Sequence, residues 1–339
     1  MGVCKVGGFR WPRFDLQGFS RYLDGKLALA AIRKPPRIRT GDTVGVVAPA
    51  GALQEDRLEA GVRVVEGWGL RVVLGDAVRD RRAYLAGSDE ARLADLQRML
   101  DDPGIRAILC ARGGYGSQRL LPSLDLHLFE QNPKPIVGYS DATALLNATV
   151  AHGIVAVHGP MVADDIARGL PARSEAWLRR LLTDAEYLWE AEVPETVRPG
   201  HATGPLVGGC LSVLASTLGT RWAPDTAGAV LFLEDVGERP FRLDRLLTHL
   251  RQAGKLDHVA GVVFGTLSTC PVVDGIGPLE VVRSCFADAP YPVGFGLPAG
   301  HHASDAAELD GENLALPLGV RVTLDTTRGR LAALEPAVV

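Results

Sequence analysis

The 339-residue sequence predicts an α/β protein, with a parallel sheet covered by helices in its amino-terminal half and a second α/β unit after it. Three observations carry this expectation. Short apolar runs alternate with helix-periodic stretches from about residue 43 to residue 158, the spacing of successive strand–helix–strand units. Polar or glycine-rich residues follow several of those runs directly, as they do where ligands bind beyond the carboxyl ends of parallel strands. The chain is also long for a single hydrophobic core, which favours two domains.

Residues 1–36 show neither period and end at Pro35-Pro36, so they are expected to form an N-terminal extension. From "GDTVGVVAPAGAL" the pattern becomes regular. It predicts strand 43–48, helix near 55–67, strand 70–74, helix 88–101, strand 105–110, a short helix near 123–131, strand 135–138, helix 141–151 and strand 154–158. In "SDEARLADLQRMLDD" Ser88 can cap, Asp89 and Glu90 suit the first turn, and Leu93, Leu96 and Leu100 supply an apolar face. Residues 37–163 are therefore read as the first domain. Residues 164–203, with an amphipathic helix around 174–183 and the acidic, proline-bearing "DAEYLWEAEVPETVRPG", are read as the connection. Residues 204–330 form the second domain, with strands in "AVLFLEDV", "HVAGVVFG", "PVGFG" and "RVTLD" and helices at 241–253 and 278–287.

Composition narrows the function classes. A formal net charge of −4 gives no basic excess of the kind that binds nucleic acid. Five scattered cysteines without a CxxC pair argue against a disulfide framework and a zinc site, and point to a reducing compartment. No apolar run approaches the length of a membrane span, and "KLALAAIRKPP" is a poor signal peptide, so no membrane partner is expected and a cytoplasmic location is. No metal and no cofactor is expected: Gly113, Gly114 and Gly116 are too closely spaced for a dinucleotide fingerprint.

Four places combine an apolar strand with chemistry at its end. In "PKPIVGYSDATALLNATVAHG" a strand runs straight into a helix with Ser140 at the corner, where a hydroxyl either caps the helix or is lifted clear of the sheet as a nucleophile. In "AILCARGGYGSQRLL" paired glycines let backbone N–H groups approach an anion, or simply make a turn. "AVLFLEDVGERPFRLDRLLTHL" leads into Glu234 and Asp235, and an acid there is placed either to orient an imidazole or to face solvent. In "GFGLPAGHHASD" His301 and His302 are adjacent, so an extended chain turns only one of them toward a given site. Ser140, Glu234 and His301, in that order, match the chemistry in which imidazole takes a serine proton and a carboxylate fixes its tautomer. The corner is not G-x-S-x-G, because Ala142 stands where the last glycine belongs, so the ordinary α/β-hydrolase family is disfavoured.

Six segments in register carry a resemblance: "RTGDTVGVVAPAG", "ARGGYGSQRLLP", "GYSDATALL", "GPLVGGCLSVLASTLGT", "LFLEDVGERPFRLDRLLTHLRQAG" and "PAGHH…LALPLGVRVTLD". Over roughly residues 37–325 the chain resembles the S66 serine peptidases, the L,D-carboxypeptidases of murein recycling and the related microcin-immunity peptidases. The resemblance implies a Ser140–Glu234–His301 triad, an N-terminal α/β domain, a smaller C-terminal β/α domain, a cleft between them, no metal, and a homodimer. Two features depart from it: "ASDAAELDGEN" lengthens the interval between His301 and Pro317, and "APAG" lacks the serine usual in that motif.

The expected reaction is attack by Ser140 with His301 as base, the oxyanion being held by the backbone N–H groups of Asp141 and Gly114. By resemblance the substrate is a muropeptide, cleaved between a diamino acid and terminal D-alanine. Arg112, Tyr115 and Arg239 are candidate substrate-binding residues, an arginine being suited to a free carboxylate. Two alternatives are a microcin-immunity type peptidase acting on aminoacyl nucleotide conjugates, and a non-catalytic two-domain ligand-binding protein.

Overall fold

A computed structural model describes residues 32–302 and 311–339. Most of the expected extension, and residues 303–310 of the stretch after His302, lie outside the described residues. The first half contains β1 (Thr43–Val47), α1 (Glu55–Gly67), β2 (Arg71–Leu74), α2 (Asp89–Asp101), β3 (Ile105–Cys110), α3 (Ser117–Leu120), α4 (His127–Gln131), β4 (Ile136–Gly138), α5 (Thr143–Ala151) and β5 (Ala156–His158). β1, β3, β4 and β5 bury nearly every residue, which is why they read as continuous apolar runs. The Ser88 hydroxyl accepts the Ala91 N–H at 3.2 Å and so caps α2. Leu96 and Leu100 of α2 are buried, but Leu93 is only partly so, and Arg92 takes an inner position bonded to the Pro49 carbonyl and to Asp89.

The second half contains α6 (Ala172–Thr183), β6 (Glu190–Glu192), β7 (Glu195–Arg198), β8 (His201–Cys210), α7 (Leu211–Thr217), β9 (Val230–Val236), α8 (Pro240–Gln252), β10 (Gly261–Ser268), α9 (Pro278–Cys285), β11 (Val293–Phe295), β12 (Leu316–Leu318), β13 (Arg321–Asp325) and β14 (Arg330–Ala333). The first sheet has the order β12-β5-β4-β3-β1-β2 and is parallel except at its β12 edge. The second has the order β6-β14-β13-β8-β9-β10-β11-β7, with β8 to β11 parallel and the outer strands antiparallel.

Two segments fall differently from the expected division. β6 and β7 lie inside residues 164–203, and both are edge strands, where a neighbouring proline and alternating charge are tolerated. β12 lies within residues 204–330 but pairs with β5 of the first sheet, so the chain crosses back after His302.

The two sheets are tied together behind the Ser140 corner. Asn147 of α5 donates to the Gly208 carbonyl at 2.8 Å and accepts the Gly208 N–H at 3.3 Å, while the Thr143 hydroxyl accepts the Cys210 N–H at 3.1 Å. Cys210 pairs in register with Glu234 on β9. The helix that follows the serine is therefore fastened to the strand beside the acid.

Candidate active site

Ser140 stands directly beyond β4, at the carboxyl edge of the first sheet. Its φ is 59°, the left-handed region, which costs a non-glycine residue of order 1–2 kcal/mol and is retained where the surroundings over-determine it. A single 3-10 turn over Ser140–Ala142 then leads into α5. The corner is further fixed through Asp141, whose carboxylate accepts the Ser117 N–H at 2.7 Å and whose carbonyl accepts the Ser117 hydroxyl at 2.6 Å. Ser117 opens α3 at the end of the glycine loop. That loop runs against the serine: a Cβ placed on Gly113 would lie 2.7 Å from both Cβ and Oγ of Ser140, so only glycine fits there. Gly114 has φ 105°, and the Gly51 N–H donates to the Gly113 carbonyl at 3.0 Å, which binds the loops after β1 and β3 to each other.

Glu234 lies in β9 and is fully buried. Its Oε2 atom accepts the His301 Nδ1–H at 2.7 Å and the His301 backbone N–H at 3.0 Å. Close approach requires Gly300, because a Cβ there would stand 2.6 Å from Glu234 Oε2. Burial drives the Glu234 pKa upward, but the His301 charge and hydrogen bonds outweigh it and hold the carboxyl below its usual value. Burial likewise depresses the His301 pKa, and the Glu234 carboxylate reverses this and raises it above that of a free imidazole. The neighbouring Asp235 serves the fold: its carboxylate accepts the Ser212 N–H at 2.8 Å and the Val236 N–H at 2.9 Å.

His301 is anchored on both sides. The Thr266 hydroxyl of β10 donates to the His301 carbonyl at 2.8 Å, and the Gly300 N–H donates to Asn313 Oδ1 at 3.0 Å. The edge of the Tyr139 ring meets the His301 ring with centroids 4.8 Å apart, bringing the residue before Ser140 against the imidazole. His302 is buried beside Gly311, where a Cβ would lie 3.2 Å from its ring.

The remaining expected residues are placed unequally. Arg112 spends one guanidinium nitrogen, Nη1, on the Ala52 carbonyl at 2.8 Å, and so helps fasten the loop after β1. Tyr115 is exposed and its ring lies 6.0 Å from that of Tyr84. Arg239 is exposed at the N-cap of α8, and it is Arg242 rather than Arg239 that pairs with Glu238.

Three residues not anticipated from the sequence sit behind the imidazole. Tyr139 is buried and donates its hydroxyl to Asp165 Oδ1 at 3.1 Å, while Asp165 Oδ2 accepts the Met161 N–H at 3.0 Å. Burial pushes the Asp165 carboxyl up to about 6. His158, the last residue of β5, is fully buried between the Tyr139 and Phe232 rings, with centroid distances of 5.7 and 4.9 Å. Burial lowers its pKa to about 4, so at neutral pH it is uncharged. The available signal was a polar residue ending the apolar run "IVAVH", the same signal that marks Glu234 at the end of β9.

Residues 44–159 match the family model for the LD-carboxypeptidase N-terminal domain, and residues 203–324 match that for its C-terminal domain. A probable murein peptide carboxypeptidase of Bacillus subtilis is 36% identical over 312 residues, which cover 90% of this chain and 95% of the relative. The murein tetrapeptide carboxypeptidase of Pseudomonas aeruginosa is 37% identical over 303 residues, covering 85% of this chain and 94% of the relative. The crystal structure of a muramoyltetrapeptide carboxypeptidase from Oxalobacter formigenes superposes with a TM-score of 0.77 at 29% identity, over 86% of this chain and 97% of that one. The fold alone is shared with MccF in complex with glutamyl sulfamoyl guanosine, at a TM-score of 0.81 and 22% identity over 90% of this chain and 99% of that one. With two domain models matched in order and relatives above one-third identity along most of its length, this chain belongs to the S66 family of LD-carboxypeptidases.

Proposed function

We propose that the chain is a serine-type L,D-carboxypeptidase that releases terminal D-alanine from murein tetrapeptides in the cytoplasm, acting as a homodimer. The observation that carries the reading is the 2.7 Å contact between His301 Nδ1 and the buried Glu234 carboxylate, on the strand fastened to the Ser140 helix. With Nδ1–H committed to Glu234, the lone pair of the imidazole is on Nε2, the nitrogen that takes the Ser140 proton. Ser140 Oγ attacks the scissile carbonyl carbon, and the developing oxyanion is held by the N–H groups of Asp141 and Gly114, each worth roughly 3 kcal/mol in comparable sites.

Collapse of the tetrahedral intermediate breaks the C–N bond, and the imidazolium returns its proton to the amine of D-alanine. Water, deprotonated by the same imidazole, then cleaves the acyl-enzyme. Arg112 and Arg239 are the candidates for the substrate's free carboxylate, Arg112 having the more fixed position because Ala52 already holds it. The reading is tested by incubating the purified protein with a murein tetrapeptide and measuring D-alanine. Release at the rate of an ordinary hydrolase supports it, and an intact tetrapeptide contradicts it.

A further inference from the structure

Tyr84 and Tyr115 are 63% and 48% exposed, yet their rings stand together, with centroids 6.0 Å apart and planes inclined by 55°. Both are rigidly presented. Tyr115 lies between Gly114 (φ 105°) and Gly116 (φ 138°), backbone conformations that only glycine adopts readily and that turn Tyr115 outward. Tyr84 follows Ala83, itself at φ 56°, and its carbonyl accepts the Ala52 N–H at 3.0 Å; the buried Leu85 next to it bridges to Gly51. Gly51 in turn donates to Gly113, which packs on Ser140. One continuous set of backbone bonds therefore joins the ring pair to the serine corner.

Rigid aromatic side chains held in solvent beside a reaction centre bind the faces of rings, through dispersion and the exclusion of water. The proposed reaction expels D-alanine, which carries no ring, so any ring that the substrate carries lies on the acyl side of the scissile bond. In a muropeptide that ring is the sugar at the amino end of the stem. Tyr115 is two residues from Gly113, which packs on Ser140, so their Cα atoms are at most about 7 Å apart and the ring is kept near the reacting bond.

We infer that the Tyr84–Tyr115 pair is a subsite for the sugar ring of a muropeptide substrate, an inference that rests on the proposed carboxypeptidase reading. The kinetic test compares kcat/KM for a sugar-bearing tetrapeptide with kcat/KM for the free tetrapeptide, in wild type, Tyr84→Ala/Tyr115→Ala and Tyr84→Phe/Tyr115→Phe. The expected ratio is about tenfold in favour of the sugar-bearing substrate in wild type and in the Phe variant, falling toward one in the Ala variant. An unchanged ratio in the Ala variant overturns the inference.

A separate binding arm keeps it apart from the reaction. Calorimetry of Ser140→Ala with N-acetylmuramic acid and with adenosine monophosphate is expected to show sugar binding that the added Ala pair removes. Binding of the nucleotide alone, or of neither ring, overturns the sugar assignment even if D-alanine release succeeds. Sugar binding without D-alanine release leaves the subsite standing and contradicts the proposed reaction.

Discussion

His301 gives both its ring Nδ1–H, at 2.7 Å, and its backbone N–H, at 3.0 Å, to one oxygen of Glu234. Ring orientation and chain path are thus set by the same buried atom. The carboxylate holds the imidazole pKa above its ordinary value of about 6.5. As the proposed general base, His301 works when unprotonated, so activity is expected above its pKa and is expected to be lost as pH falls through it. The acid limb of the kcat/KM profile is expected above pH 6.5 or so in wild type. In Glu234→Gln it should move to lower pH while the plateau drops by roughly 10²- to 10⁴-fold. A limb that stays in place in the variant would show that Glu234 does not set the base.

The two adjacent histidines should separate sharply. His301→Ala is expected to lose activity by several orders of magnitude, as for removal of a triad base, and His302→Ala by no more than about tenfold. Steady-state kinetics with circular dichroism as a folding check decides between them. Greater damage from His302→Ala would reverse the assignment.

Gly113 supplies a geometric test of the serine corner. It is not among the glycines at positive φ, so alanine meets no left-handed backbone there, but its methyl would stand 2.7 Å from both Cβ and Oγ of Ser140 and the serine must shift. Gly113→Ala is expected to cost about 10²-fold in kcat, the usual effect of displacing a reacting group by around 1 Å, with circular dichroism checking that the variant folds. Wild-type turnover in that variant would mean that the hydroxyl at this corner does not react.

His158 predicts a pH dependence of stability. Its pKa is about 4 in the folded protein against about 6.5 when unfolded, so its contribution is fully present above pH 6.5 and is lost as pH falls toward 4. The loss amounts to about 3 kcal/mol. Asp165, raised to about 6, acts in the opposite sense and favours folding as pH falls, which masks the histidine in wild type. Urea titrations of wild type and His158→Gln at pH 7 and pH 4 separate the two. The variant is expected to gain about 3 kcal/mol relative to wild type on acidification, and a constant difference would contradict the buried neutral imidazole.

Much of this arrangement was legible in the sequence, because a parallel sheet buried on both faces writes each strand as an apolar run and its ligand-facing end as the first polar residues after it. Ser140 and Glu234 were singled out that way. Tyr139, His158 and Asp165 were not, since nothing in their spacing says that residues from two strand ends and a short π-helical turn converge behind His301. β12 has three residues, too few for any period, and its place beside β5 depends on the chain returning across the molecule. β6 and β7 read as a connection because edge strands accept the charges and proline that a central strand excludes. Tyr84 escaped notice because an exposed aromatic residue in a loop gains meaning only from the ring opposite it.

The central claim, that the Ser140 hydroxyl is the nucleophile, is tested most directly by Ser140→Ala. Alanine at this corner removes one oxygen and no cap, since neither the 3-10 turn nor α5 has a side-chain cap bond, so the variant should melt close to wild type. D-alanine release from a murein tetrapeptide is then measured for both proteins under identical conditions. The account predicts a fall in kcat of at least about 10⁴-fold in the folded variant. Turnover within tenfold of wild type would contradict it.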